Sequence, residues 1–134
     1  MMKITSNTAV VQHEPQAIYN FITDFNHFQA LLPEDKIENF QCTEDTCSFK
    51  IKGMADLGLR ISEKDEPNRV RMESHGKSPF KFTMDIIIDD KDGGSECRIE
   101  FEGDINPFMK MMVEKPLTNF FNMLVEKLPT LDLG

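Results

Sequence analysis

Arg69-Val70-Arg71-Met72-Glu73-Ser74-His75 and Pro79-Phe80-Lys81-Phe82-Thr83-Met84-Asp85-Ile86-Ile87-Ile88-Asp89 carry the reading of this chain. Apart from Ser74, Pro79 and Ile87, polar residues alternate there with Val, Met, Phe and Ile. Successive side chains of a strand point to opposite faces, so a period of two describes a sheet with one face in a core and one in water. The period extends outward from Asp35 to about Ile105, over candidate strands Lys36–Cys42, Cys47–Lys52, Leu57–Asp65, Arg69–His75, Pro79–Asp89 and Glu96–Ile105. The breaks are turn sequences: Thr43-Glu44-Asp45-Thr46, Glu66-Pro67-Asn68, His75-Gly76-Lys77-Ser78-Pro79 and Lys91-Asp92-Gly93-Gly94. Connections this short join antiparallel neighbours, which makes the run a meander.

The flanks have other periods. Lys3 to Gln12 reads as a strand. Pro15 suits a first helical turn, and Ile18, Phe21, Ile22 and Phe25 follow at helical spacing. Asp24 or Asn26 can cap a second short helix carrying Phe28, Leu31 and Leu32, which Pro33 stops. After Ile105, Asn106 can cap and Pro107 can open an amphipathic helix to about Leu128, with Leu117, Phe120, Phe121, Leu124, Leu128 and Leu131 on one face. Pro116 lies inside it, so a kink or break near Glu114 is expected.

The 134 residues fit one domain with a core of ordinary size, since about 100 to 150 residues share a single core. Lys plus Arg number 15 against 23 Asp plus Glu, a net charge of -8 that disfavours nucleic acid and anionic membrane surfaces as partners. No apolar run is long enough for membrane insertion, and the amino terminus lacks the form of a signal peptide. Cys42, Cys47 and Cys97 are odd in number and contain no CxxC pair, from which a reducing cytoplasm is expected. Cys42 and Cys47 flank a turn and are read as reduced, half-buried thiols.

Sorting the strands by parity gives an apolar face of Phe49, Ile51, Leu59, Ile61, Val70, Met72, Ser74, Phe80, Phe82, Met84, Ile86, Ile88, Cys97, Ile99 and Phe101. The opposite face mixes both charges and reads as a solubility surface. General acid–base chemistry needs a titratable group inside a pocket, and the apolar face supplies almost none. His13, His27 and His75 fall on separate elements, so no metal site is expected. Gly93-Gly94 is a hairpin turn and not a phosphate loop. Tyr19, His27, Asp56, Glu63, His75 and Lys115 stand in no catalytic spacing, and no catalytic residue or cofactor is assigned. Met109, Met111 and Met112, ahead of Pro116, read as a flexible border to a ligand cavity.

The order strand, two short helices, meander and long closing helix resembles the START-like (SRPBCC) superfamily, which includes Bet v 1-like and polyketide cyclase/dehydrase-like domains. The resemblance spans nearly the whole chain and rests on Pro15 to Asn26, Leu32-Pro33, Asp65-Glu66-Pro67-Asn68-Arg69-Val70 and the helix after Asn106-Pro107. It implies an α+β helix-grip fold, a curved antiparallel sheet of about seven strands gripping a long kinked C-terminal helix. In that superfamily a cavity between sheet and helix commonly binds lipids, sterols or polyketides.

The expected function is cytoplasmic binding of a small hydrophobic molecule. Phe49, Ile61, Met72, Phe82, Met84, Ile99 and Phe101 would form the floor, and Met111, Met112 and Leu117 the roof. Burying roughly 300 Å² of apolar ligand returns about 7 kcal/mol against an association cost of at least about 4. A polar anchor such as Ser74, Tyr19 or His27 is therefore expected. Two alternatives remain open: a cyclase or hydratase using Tyr19, His27 or Asp56, and an interaction module with a filled core that forms a homodimer.

Overall fold

The computed structural model describes residues 2–76 and 78–131; Met1, Lys77 of the expected 75–79 turn, and residues 132–134 lie outside the described residues. Strands β1 (Met2–Thr5) and β2 (Ala9–Val11) precede helices α1 (Pro15–Ile22) and α2 (Phe25–Phe28) and a 3-10 turn at Gln29–Leu31. Then come β3 (Ile37–Cys42), β4 (Thr46–Ile51), β5 (Ala55–Asp65), β6 (Arg69–Ser74), β7 (Lys81–Lys91) and β8 (Gly94–Asp104). Helix α3 (Pro107–Lys127) and a 3-10 turn at Leu128–Thr130 close the chain. All strands join one antiparallel sheet in the order β1-β8-β7-β6-β5-β4-β3, with β2 also on β8. This is the helix-grip architecture: a meander whose last strand returns beside the first, with helices packed on one face.

The expected strand Lys3–Gln12 is two strands. Ser6 N donates to Ile99 O at 2.9 Å, and Ile99 N donates to Ser6 Oγ at 2.8 Å. That side-chain acceptor replaces a ladder bond and lets the chain step out through Asn7 before rejoining β8 at Ala9↔Cys97. In β3, Ile37 and Phe40 have opposite parity but both pack against the core. The register shifts between Glu38 and Gln41, and Asn39 takes φ +58°, a left-handed conformation that Asn tolerates better than most residues.

Caps fall where side-chain chemistry puts them: Asp24 Oδ1 accepts from Asn26 N at 3.0 Å, and Asn106 Oδ1 from Met109 N at 2.8 Å. Helix α3 runs through Pro116 as one helix, so of the expected kink or break near Glu114 the break does not occur. Val113 on one side of the proline, and Leu117, Phe120, Phe121 and Leu124 on the other, are buried and hold the segment to the sheet. The carbonyl that Pro116 leaves without its N–H partner belongs to exposed Met112, where water can satisfy it.

Cys42 and Cys47 are joined in a disulfide, with Cα atoms 4.2 Å apart, which corrects the expectation of two free thiols. The β3–β4 register sets them directly opposite each other, and the turn between them is closed by Thr43 N donating to Thr46 O at 2.9 Å. The bond removes the cysteine argument for a reducing cytoplasm. Cys97 is fully buried and is the free thiol among the described residues. Thiol titration of the unreduced chain should find one reactive group in denaturant and none in the native state; three in denaturant would refute the bond. Replacing both bonded cysteines by serine should lower stability by about 2 kcal/mol, the loop-closure value for so short a ring.

Burial pushes the Cys97 thiol up to about 12, with Asp89 and Glu96 adding to the effect. The folded state keeps this proton where the unfolded thiol, near 9, loses it. Its contribution is therefore intact below pH 9 and is lost as pH rises from about 9 towards 12, with a slope of at most about 1.4 kcal/mol per pH unit. Urea midpoints measured across that range should fall in the natural chain and fall less steeply in Cys97→Ala.

Candidate functional site

The apolar parity face becomes the concave side of the sheet, and the helices fill it. Phe49, Met72, Phe82, Met84, Ile99, Phe101 and Leu117 are all buried, while Ile61 and Ser74 are half-buried. Aromatic rings occupy the space between sheet and α3. Phe120 lies 5.7 Å from Phe49, Phe121 lies 5.1 Å from Phe101, and Phe82 lies 5.2 Å from Phe101, between ring centroids. The expected floor is thus in contact with α3.

The expected roof is different. Met111 and Met112 are 86% and 62% exposed, and Phe108 is 72% exposed. Successive helical residues are turned by about 100°, so once Val113 and Leu117 take the inward face, their neighbours at 111 and 112 turn away from the sheet. Only Leu117 of the three roof residues covers the floor.

The expected polar anchors do not converge either. Ser74 Oγ accepts from Phe82 N at 3.3 Å and is engaged at the β6–β7 connection. Tyr19 is buried on α1, and burial raises its phenol, helped by Glu66 and Asp65 at the β5–β6 turn. His27 is exposed, stacks on Phe21 at 5.2 Å and faces Asp24 at 3.5 Å. Asp56 is exposed on β5 opposite Lys50. No described hydrogen bond links Tyr19, His27 and Asp56. Among the described residues, no three His, Cys, Asp or Glu side chains are grouped to hold a metal ion.

One of the clefts that open to solvent, of about 310 Å³, lies between α3 and the β3–β4 hairpin. Ile51, Pro116, Phe120 and Met123 make its apolar surface, with Lys36, Lys52, Lys115 and Asn119 around it. Pro116, Asn119, Phe120 and Met123 share this wall because they recur at helical spacing, and Met112 and Phe108 continue the same spacing beyond it. Behind the cleft, Phe120 stacks towards Phe49, and Phe49 towards Phe40 at 6.3 Å.

Helix α3 is anchored unequally. Asn122 Oδ1 accepts from Asn7 N at 2.7 Å, Glu126 Oε1 accepts from Asn7 Nδ2 at 3.4 Å, and His13 Nε2 lies 3.2 Å from Leu131 O. No described hydrogen bond or ion pair joins residues 107–115 to the sheet, where Val113 is the buried contact. Parity alone missed the cleft, because Lys36 and Lys52 belong to strand ends and Met123 to the flank of α3. The one available signal was Lys115 beside Pro116.

Fold and site together define an α+β helix-grip protein with a filled interior and an apolar cleft under the loosely held half of its closing helix. No protein-family model matches the chain, and no curated protein matches it in sequence. Solved structures do. The solution structure of KanY protein aligns with a TM-score of 0.78 at 14% identity over 97% of each chain. The Aha1 dimer from Colwellia psychrerythraea aligns with a TM-score of 0.66 at 13% identity over 96% of this chain and 97% of that one. Ara h 8.0201 aligns with a TM-score of 0.61 at 11% identity over 97% and 99%. At such identities the likeness establishes the fold, which is the START-like, Bet v 1-like helix grip expected from the element order. No described helix is long and apolar enough to cross a membrane.

Proposed function

We propose that this chain binds a small hydrophobic molecule, entered through the cleft between α3 and the β3–β4 hairpin. The observation that carries the reading is the unequal anchoring of α3 over an apolar cleft: its carboxyl half is tied to the β1–β2 loop, and its amino half rests on Val113. A modest outward movement of residues 107–116 would uncover Val113 and widen the apolar surface already offered by Ile51, Phe120 and Met123. Such a movement costs apolar burial that the ligand returns, so binding and opening are one equilibrium. At about 310 Å³ the resting cleft lies at the low end of the roughly 300–1,000 Å³ usual for small-molecule sites.

Titration with the neutral fluorophore N-phenyl-1-naphthylamine tests this. Saturable binding is expected, weakened about tenfold in Met123→Asp, because a carboxylate is placed where the probe needs apolar contact. Met123 is 39% exposed, so that change should leave the fold intact. Absence of saturable binding, or equal binding by the variant, would remove the reading. Native mass spectrometry of freshly purified protein would report any ligand carried from the cell.

A second reading rests on Phe108, Met111 and Met112, an exposed apolar stripe that a partner surface could cover. The Aha1 structure of the same fold is a dimer. If the stripe pairs two copies, light scattering should give a concentration-dependent dimer mass that Met111→Lys abolishes; a monomer mass throughout would discard this reading.

A further inference from the structure

We infer that the cleft selects an anionic amphiphile: a single apolar chain ending in a carboxylate or phosphate held by Lys36, Lys52 and Lys115. This rests on the ligand-binding reading above and specifies its head-group chemistry.

Lys36 and Lys52 are neighbours across the β3–β4 hairpin. Ile37 pairs with Ile51, and Lys52 N donates to Lys36 O at 2.9 Å, one step beyond that pair. Like charges opposed on adjacent strands are destabilising unless something neutralises them. Lys50 reaches Glu38 at 3.6 Å, Lys91 reaches Glu96 at 2.6 Å and Lys110 reaches Glu114 at 3.7 Å, whereas Lys3, Lys64, Lys81 and Lys127, like the cleft lysines, have no described ion pair. Arg69, Arg71 and Arg98 are also paired with carboxylates. Glu34, Asp35 and Glu114 lie close in sequence to the three cleft lysines, yet no described ion pair reaches Lys36, Lys52 or Lys115.

Three lysines without a described ion pair therefore line one apolar cleft in a chain of net charge -8. The same cleft presents Ile51, Pro116, Phe120 and Met123 to the tail, and Asn119 as a further hydrogen-bonding group. Apolar burial alone binds weakly, and the anchors expected from sequence point elsewhere. The lysines supply the missing polar end, and a ligand anion would relieve the repulsion between Lys36 and Lys52. An anionic bilayer is a poorer match, because the rest of the surface carries the opposite charge balance.

The test is displacement of bound N-phenyl-1-naphthylamine from the full chain at low salt, below micelle-forming concentrations. Competitors are laurate, dodecyl phosphate, dodecanol and dodecyltrimethylammonium. Laurate or dodecyl phosphate should displace the probe at roughly tenfold lower concentration than dodecanol, the range three partly screened charges can supply, with dodecyltrimethylammonium weakest. The order of the two anions assigns the head group. The triple variant K36Q/K52Q/K115Q should bring both anions within about twofold of dodecanol, each displacement being corrected for that variant's own affinity for the probe. Without competitor, K52Q alone should melt at the same or a higher temperature than the natural chain, and laurate should raise that temperature less than it does in the natural chain. Equal displacement by all four amphiphiles, or an unchanged preference in the triple variant, overturns the anion site while leaving ligand binding standing. Failure of the probe to bind at all overturns both. Co-sedimentation with anionic vesicles, but no displacement by soluble amphiphiles, would assign the lysines to a membrane surface and reject the cleft ligand.

Discussion

Gly58→Ala is expected to destabilise the fold by on the order of 4 kcal/mol, enough to leave much of the chain unfolded. A Cβ on Gly58 would lie 1.7 Å from the carbonyl oxygen of His75 and 2.8 Å from its carbonyl carbon. These are backbone atoms and cannot rotate aside. The approach is fixed from both directions: His75 N donates to Gly58 O at 3.0 Å, and Gly58 N donates to Ser78 Oγ at 3.0 Å. A methyl group therefore forces the start of the β6–β7 connection off β5 and breaks bonds whose groups are partly shielded from water. The control is Gly103→Ala, whose Cβ would meet the rings of Phe101 and Phe80 at 3.0 to 3.3 Å. Rings can shift, so that variant should cost about 1 kcal/mol. Urea denaturation of the pair decides it. If Gly58→Ala shifted the midpoint no more than Gly103→Ala, the close backbone approach would not exist.

Phe101→Ala should cost about 3 to 5 kcal/mol, the usual range for truncating a buried aromatic ring. Phe101 is 3% exposed and lies 5.1 Å from Phe121, 5.2 Å from Phe82 and 6.2 Å from Phe80. It joins β8 to α3 and to the β7 side of the sheet, so its loss removes contacts in several directions. The void it leaves would be lined by rings and would stay dry. Stronger uptake of N-phenyl-1-naphthylamine by the weakened protein is therefore expected alongside the lost stability. A cost near 1 kcal/mol would mean that the interior closes around the gap, and that sheet and helix are not held in one packing.

Much of the fold was legible because it follows from local patterns. Period two between Asp35 and Ile105 reports which residues share a face, whatever the rest of the chain does. Asn106, and the pair Asp24 or Asn26, announce helix starts because a cap is a contact within three residues, and of that pair it is Asp24 that caps. The two-strand form of the first segment was not legible, since it depends on Ser6 meeting Ile99, far along the chain. The facing of β3 required the left-handed turn at Asn39, which parity counting cannot anticipate.

The candidate site was less legible, and particular residues explain why. Met111 and Met112 are as apolar as Val113 and Leu117, so composition cannot say which of them α3 turns inward. The helix packs by its whole face, and the choice was made by the rings of Phe120 and Phe121 seating against Phe49 and Phe101. Lys36, Lys52 and Lys115 read as ordinary surface lysines until the hairpin and helix bring them around one cleft.

By itself, the sequence determined the meander, the apolar and polar faces of its strands, the capped closing helix and thereby the helix-grip architecture. These are set by backbone periodicity and by contacts within a turn or two. Only the tertiary structure decided the Cys42–Cys47 bond, the filled interior, the outward methionines and the lysine-ringed cleft. Each of these depends on the register and crossing of elements distant in the chain, and a one-dimensional pattern of hydrophobicity carries no such information.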